Sequence, residues 1–232
     1  MELNRKGFLL AASSTLLIPA ESAQARTRPI YYLPKSSSRR FAWTIDDGVS
    51  NSAVRAYLDL AEEHNQHLTF FVTSCYSSWR KNSAQIQRLL NAGKIELANH
   101  TLSHRDLTKS SDAVVRNQLL ECHRFLLNEF GYDARPFFRP TYGYWNQRVI
   151  NLAAELGYSA PMMWMGTLGD SANLPVSKTL SLANQWIANG RIVVDHANSV
   201  KSAQELTGIL RIIQARGLKS VTLREAFGRD FR

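Results

Sequence analysis

Short runs rich in β-branched and aromatic residues alternate along the chain with longer stretches whose apolar positions recur every three or four residues, the pattern of an α/β protein with parallel strands. Strands are predicted at Phe41 to Ile45, Leu68 to Thr73, Ile95 to Asn99, Pro136 to Arg139, Ser159 to Met165, Arg191 to His196 and Lys219 to Val221. Helices are predicted at Asn51 to Asn65, Asn82 to Ala92, Asp112 to Phe130, Asn146 to Leu156, Lys178 to Ala188 and Ala203 to Arg216. Glycines follow five of them, where a left-handed residue ends a helix without steric penalty. With Leu223 to Gly228 as a last short helix, seven strand-helix units result. A closed or nearly closed barrel is the economical architecture, and an open doubly wound sheet is the alternative. In both, binding groups gather beyond the carboxyl ends of the strands.

The ends of the chain follow other rules. Arg5 and Lys6, the apolar stretch Gly7 to Ile18 and then Ala23-Gln24-Ala25 have the layout of a signal peptide over residues 1–25, so export is expected, to the outside or to the cell wall. The apolar stretch falls short of the roughly 20 residues that a spanning helix needs, and no other segment is long enough. Residues 26–38, rich in Arg, Pro and Ser, are expected to be a mobile leader, with a single domain over 39–232.

Composition adds two points. At 232 residues and 44% hydrophobic, the chain can bury one sizeable core. Its net charge of +9 survives removal of the signal and favours polyanionic surroundings; for an exported protein these are an anionic wall or lipid rather than nucleic acid. Cys75 and Cys122 stand far apart in no zinc-binding pattern, and two buried thiols are expected rather than a disulfide.

The candidate chemistry sits where the strands end. Asp46 and Asp47 close the first strand, His100 and His104 follow the third, Arg139 and Tyr142 the fourth, Asp170 the fifth, and His196 ends the sixth. Two adjacent carboxylates at a core rim disfavour joint ionisation unless a cation intervenes, although an Asp-Asp-Gly turn capping a helix is the plainer reading. His100 and His104, four apart, would aim at one point in a helical turn and, with one of the carboxylates, make an Asp-His-His set with an open fourth position. Such a set suits a catalytic zinc; it also suits non-haem iron, but the second Asp and the distant His196 favour metal-assisted hydrolysis.

Thr44-Ile45-Asp46-Asp47-Gly48, His100-Thr101-Leu102-Ser103-His104, Arg139-Pro140-Thr141-Tyr142-Gly143 and Val194-Asp195-His196 together resemble the ordered motifs of the NodB-like polysaccharide deacetylases, over most of the domain. The resemblance implies a distorted barrel of seven βα units and a metal-dependent hydrolase removing N-acetyl groups from glycans such as peptidoglycan or chitin-like oligomers. It implies Asp46 as general base, Asp47, His100 and His104 as ligands of a divalent metal, usually zinc, and Arg139 as the residue that orients the base. The Tyr142 N–H would help hold the oxyanion, and His196 would be the general acid with Asp170 beside it. Tyr144 and Trp145, in a loop on the same rim, are expected to stack on sugar rings, whereas Trp164 is expected in the core.

The pattern has departures. Thr141 stands where a second proline is usual, which removes a rigid element from the Tyr142 loop; the stretch Thr167 to Ser171 lacks the usual tryptophan; Val194 replaces a leucine; and Asp195 is an unusual charge that could support His196 in place of Asp170. These leave an O-acetyl esterase acting on a xylan-like polymer and a glycan-binding protein with a degraded site as alternatives.

Overall fold

A computed structural model describes residues 28–169, 174–201 and 203–228. Eight parallel strands form one curled sheet: β1 (Arg40–Asp47), β2 (Leu68–Val72), β3 (Ile95–Asn99), β4 (Phe137–Phe138), β5 (Ala160–Pro161), β6 (Gly166–Thr167), β7 (Ile192–His196) and β8 (Lys219–Ser220). The order is β5-β4-β3-β2-β1-β7-β6, with β8 beside the start of β1. Helices α1 (Asn51–Glu63), α2 (Ser78–Lys81), α3 (Ser83–Asn91), α4 (Asp112–Phe130), α5 (Gln147–Glu155), α6 (Val176–Trp186), α7 (Ala203–Ala215) and α8 (Leu223–Phe227) complete a distorted barrel of seven βα units.

The predicted run Ser159 to Met165 divides. Only Ala160 and Pro161 continue the sheet past β4, and the chain then crosses over so that β6 pairs with β7 on the other side. Helix α2 was not foreseen, since Ser-Trp-Arg-Lys carries too few apolar positions to show a period. The thiols are both free, but Cys75 is exposed rather than buried.

Residues along each strand alternate between two cores. Phe41, Trp43 and Ile45 of β1 face the helices, together with Leu68, Phe70 and Val72 of β2. Ala42, Phe71, Ala98, Phe137, Ala160, Met162 and Ile192 point into the barrel. Helix α1 answers the outer face with Val54, Tyr57, Leu58 and Ala61, at helical spacing, after Ser50 caps its N-terminus by accepting from the Ala53 N–H. Each such large side chain contributes about 1.5–3 kcal/mol on full burial. Helix α4 does the same with Val115, Leu119, Cys122 and Leu126, and ends at Gly131 in the left-handed region.

Within residues 28–38, placed ahead of the domain from sequence, Ile30 to Leu33 take part in it. The Ile30 N–H donates to the Pro161 carbonyl at 2.9 Å and its carbonyl accepts from Met163 N–H at 2.8 Å, while Leu33 N–H donates to Gly190 at 2.8 Å. Ile30 and Leu33 are buried in the inner core, so this segment is a stave running from β5 to the start of β7. The predicted signal peptide lies outside the described residues. Among the described residues, no helix is long and apolar enough to cross a membrane.

The floor of the barrel is closed by α8. Its first amides are answered from inside the sheet: Leu223 N–H donates to Thr69 Oγ1 at 3.1 Å and Arg224 N–H to Glu96 Oε2 at 3.0 Å. Burial pushes the Glu96 carboxyl up to about 7, against the opposing pull of the Arg224 amide and guanidinium. A carboxyl raised on folding favours the native state while protonated, and that contribution is lost as pH rises through about 7 from the ordinary value of 4.5. Stability attributable to Glu96 should therefore fall by about 3 kcal/mol across that window. Urea unfolding at pH 5 and pH 8 should show a steeper pH dependence for wild type than for Glu96→Gln; equal slopes would remove Glu96 as the cause.

Candidate active site

The site occupies the carboxyl-end rim of the barrel, where β1, β3, β4 and β7 finish. The parallel register makes Asp46 and His196 direct neighbours on β1 and β7. Both continue the inward-facing rows, Asp46 after Ala42 and Thr44, and His196 after Ile192 and Val194. Strict alternation would send Asp47 outward. It does not, because Asp47 has a left-handed backbone with φ 73, which turns its carboxylate back over the rim. Gly48 follows because nothing else fits: a Cβ there would lie 2.3 Å from the Trp79 ring. Its carbonyl is held by the Ser78 hydroxyl.

The two histidines are presented differently from the expected helical turn. Residues 100–106 are a loop in which Thr101 and His104 are both left-handed, at φ 77 and φ 55, and the His104 N–H donates to Thr101 Oγ1 at 3.1 Å. That folding brings the imidazoles together at 5.0 Å between ring centres. His100 Nδ1 donates to the Arg139 carbonyl at 2.8 Å, which turns Nε2 toward the carboxylates.

The carboxylates have separate partners. Asp46 Oδ1 receives Arg139 Nη1 at 2.5 Å, while its Oδ2 lies 3.7 Å from His100 Nε2. Asp47 Oδ1 is 3.5 Å from His100 Nε2 and 3.2 Å from His104 Nε2. It is buried, and among the described residues it accepts no hydrogen bond. Asp47, His100 and His104 each offer one ligand atom, all within 4.8 Å of one another. Ligands on a tetrahedral zinc stand roughly 3.3 Å apart, close to the two Asp-His separations, so a divalent metal fits this donor set. Burial and the neighbouring His100 hold His104 below the usual histidine range, in the neutral form that a metal ligand requires.

Arg139 is wholly buried and every side of it is occupied. Nε donates to the Met162 carbonyl at 3.0 Å, Nη1 to Thr44 Oγ1 at 3.0 Å as well as to Asp46, and Nη2 to the Met163 carbonyl at 3.3 Å. Its guanidinium lies 3.9 Å over the Phe71 ring and 5.4 Å from that of Trp164. Trp164 is thus half-buried at the site's edge rather than simply core.

Thr141 ties its loop down, contrary to the loosening expected from the missing proline: its hydroxyl donates to the Arg105 carbonyl at 2.6 Å. Tyr142, at φ 58, places its ring edge-on to His104 at 4.4 Å and stays 57% exposed; Tyr144, 55% exposed, lies 5.7 Å from it. Trp145 is 38% exposed. Asp170 lies outside the described residues. Asp195 is buried, and its Oδ2 accepts from Tyr57 at 2.6 Å and Trp43 at 3.2 Å on the helix side of the sheet. Asn198, not singled out from sequence, donates to Asp47 Oδ2 at 2.7 Å. A lone asparagine two residues after a histidine carries no pattern by which it could have been found.

Four similarities bear on this site. The family model for polysaccharide deacetylases matches residues 34–161. A chitooligosaccharide deacetylase of a Bradyrhizobium species is 30% identical over 161 residues, which cover 69% of this chain and 72% of that protein. A peptidoglycan-N-acetylglucosamine deacetylase of Listeria monocytogenes is 31% identical over 201 residues, 84% of this chain but 41% of that protein, so this chain spans well under half of that relative's length. Among solved structures, the Xyl-CE4 domain of a multidomain xylanase from the hindgut metagenome of Trinervitermes trinervoides superposes with a TM-score of 0.68 at 26% identity, covering 82% of this chain and 90% of that one.

Removing Arg139 should leave Asp46 as an uncompensated buried charge, which typically costs about 3–5 kcal/mol. Arg139→Met should lower the melting temperature sharply, and Arg139→Lys should recover only part of it, because an ammonium cannot match the planar fork that reaches two carbonyls and a carboxylate. A variant Arg139→Met melting with wild type would exclude this pair as a stabilising centre.

Proposed function

The chain belongs to the polysaccharide deacetylase family, and from that premise we propose that it is an exported, metal-dependent hydrolase that removes N-acetyl groups from glycans such as peptidoglycan or chitin-like oligomers. The observation that carries this reading is the division of labour between the two carboxylates. Asp46 is held by Arg139, whereas Asp47 turns its Oδ1 toward the Nε2 atoms of two imidazoles.

Asp47, His100 and His104 would hold the metal, with zinc the ion favoured by the Asp-His-His donor set. When bound, such an ion acts as a Lewis acid, lowering the pKa of water and polarising a carbonyl. Asp46 is the general base: with Oδ1 committed to Arg139, its Oδ2 is the oxygen that takes the proton from the attacking water. His196, across the strand pair from Asp46, supplies a proton to the amide nitrogen as the C–N bond breaks and the amine leaves. The backbone N–H of Tyr142, carried on its left-handed turn, is the donor assigned to the developing oxyanion. Asp170 would tune the basicity of His196. Exposed Tyr142, Tyr144 and Trp145 form the wall on which sugar rings would stack. The export layout of residues 1–25 and the net charge of +9 support action at an anionic cell wall.

A glycan-binding relic would have lost part of this machinery, and Asp46, Asp47, His100, His104 and His196 are all present. The decisive measurement is acetate release from chito-oligomers, peptidoglycan and acetylated xylan, with and without a chelator. Release from the N-acetylated substrates should stop on metal removal, and Asp46→Asn, which keeps the acceptor facing Arg139, should lower kcat roughly 10²- to 10⁴-fold. Activity indifferent to the chelator or to the variant would sink the mechanism; preference for xylan would transfer the activity to ester bonds.

A further inference from the structure

The stretch after His196 carries side chains that the reaction above does not use. Asn198 Nδ2 donates to Asp47 Oδ2 at 2.7 Å, and no donor among the described residues reaches its own buried Oδ1. An amide that meets a carboxylate must present its NH2 group, so the orientation of Asn198 is dictated by Asp47. A buried acceptor left without a donor is uncommon and marks a group fixed for another purpose.

The backbone around Asn198 is held on both sides. Ala197 N–H donates to the Asp46 carbonyl at 2.9 Å, and the Ala197 carbonyl accepts from Ser50 N–H at 3.0 Å. At the far end the buried Lys201 Nζ stands 3.2 Å from Asp195 Oδ1, while Asp195 Oδ2 takes the Tyr57 and Trp43 donors. The segment is therefore anchored to the sheet at residues 197 and 201, with Asn198 between the anchors.

From this geometry we infer that Asn198 is a positioning residue for Asp47: by occupying Oδ2 it leaves Oδ1 as the single oxygen facing the two histidines. This rests on the metal reading of the site. The two oxygens of a carboxylate are equivalent until something distinguishes them, and an unassisted Asp47 could rotate or engage a cation through both. With Oδ2 capped, the site offers three protein ligand atoms, the number that leaves room for water and substrate on a catalytic ion. Partners of this outer kind orient ligands and typically account for roughly 10- to 100-fold in metal affinity.

The test is zinc affinity by competition with a chromogenic chelator, together with the visible absorption of the cobalt-loaded protein, for wild type, Asn198→Ala and Asn198→Asp. Asn198→Ala should bind zinc roughly 10- to 100-fold more weakly, with altered cobalt band intensities. Asn198→Asp, equal in shape but without the donor, frees Oδ2 and should alter the cobalt bands as well, and it carries the test should the alanine variant fail to fold. Metal-free melting temperatures should stay within a few degrees of wild type, which separates positioning from a structural role. If wild type binds zinc tightly and the variants match it in affinity and spectrum, Asn198 has no such role. If wild type itself does not bind zinc or cobalt, it is the metal reading of the site that fails.

Discussion

The interior of this barrel is built on one buried ion pair, Arg139 with Asp46. A guanidinium with no access to water must have its N–H groups answered and its charge opposed, or the fold loses several kcal/mol. Thr44 and Asp46 come from β1, Phe71 from β2, and the Met162 and Met163 carbonyls from the chain after β5, so seating one side chain fixes the mutual placement of several staves. The main chain of the same residue orients His100 through its carbonyl. One end of Arg139 thus holds Asp46, and the other orients His100.

Backbone strain does the rest. Asp47, Thr101, His104 and Tyr142 all adopt left-handed conformations, at φ 73, 77, 55 and 58, each of which costs of order 1–3 kcal/mol outside glycine. All four border one small volume. Regular strands and helices alone would have spread these side chains over two faces of the sheet; departures from regularity converge them. Their cost is met by the surrounding hydrogen bonds, such as Thr141 to Arg105 and His104 to Thr101.

Much of this was legible in the sequence, because strand alternation and helical spacing are local properties that the residues carry themselves. Phe41 to Ile45 and Asp112 to Phe130 declare their periods openly, and the reactive residues fall at strand ends as a barrel requires. What stayed hidden depends on tertiary contact. The loop form of residues 100–106 arises from left-handed residues at Thr101 and His104, types that do not advertise it. Thr141 looked like the loss of a rigid proline and became a hydrogen-bond tether, since its partner lies on another loop. Asp195 could be read as an aid to His196; its oxygens instead meet Tyr57, Trp43 and Lys201, contacts that only the packing of α1 and the following loop creates. Asn198 had no pattern at all.

The stave formed by Ile30 to Leu33 has a consequence for how the molecule comes to be. Its strand partner Met162 lies 132 residues further along, and the Met162 and Met163 carbonyls that hold Arg139 sit on the backbone which that stave pins. A chain synthesised from its N-terminus keeps this segment waiting until 132 further residues have been made, and contacts so distant form late because closing the loop is entropically costly. Arg139, and through it Asp46, therefore reaches its final setting only when the two extremes of the barrel meet. The rim that carries Asp46 is thus completed late in folding, once Ile30 to Leu33 have found their place.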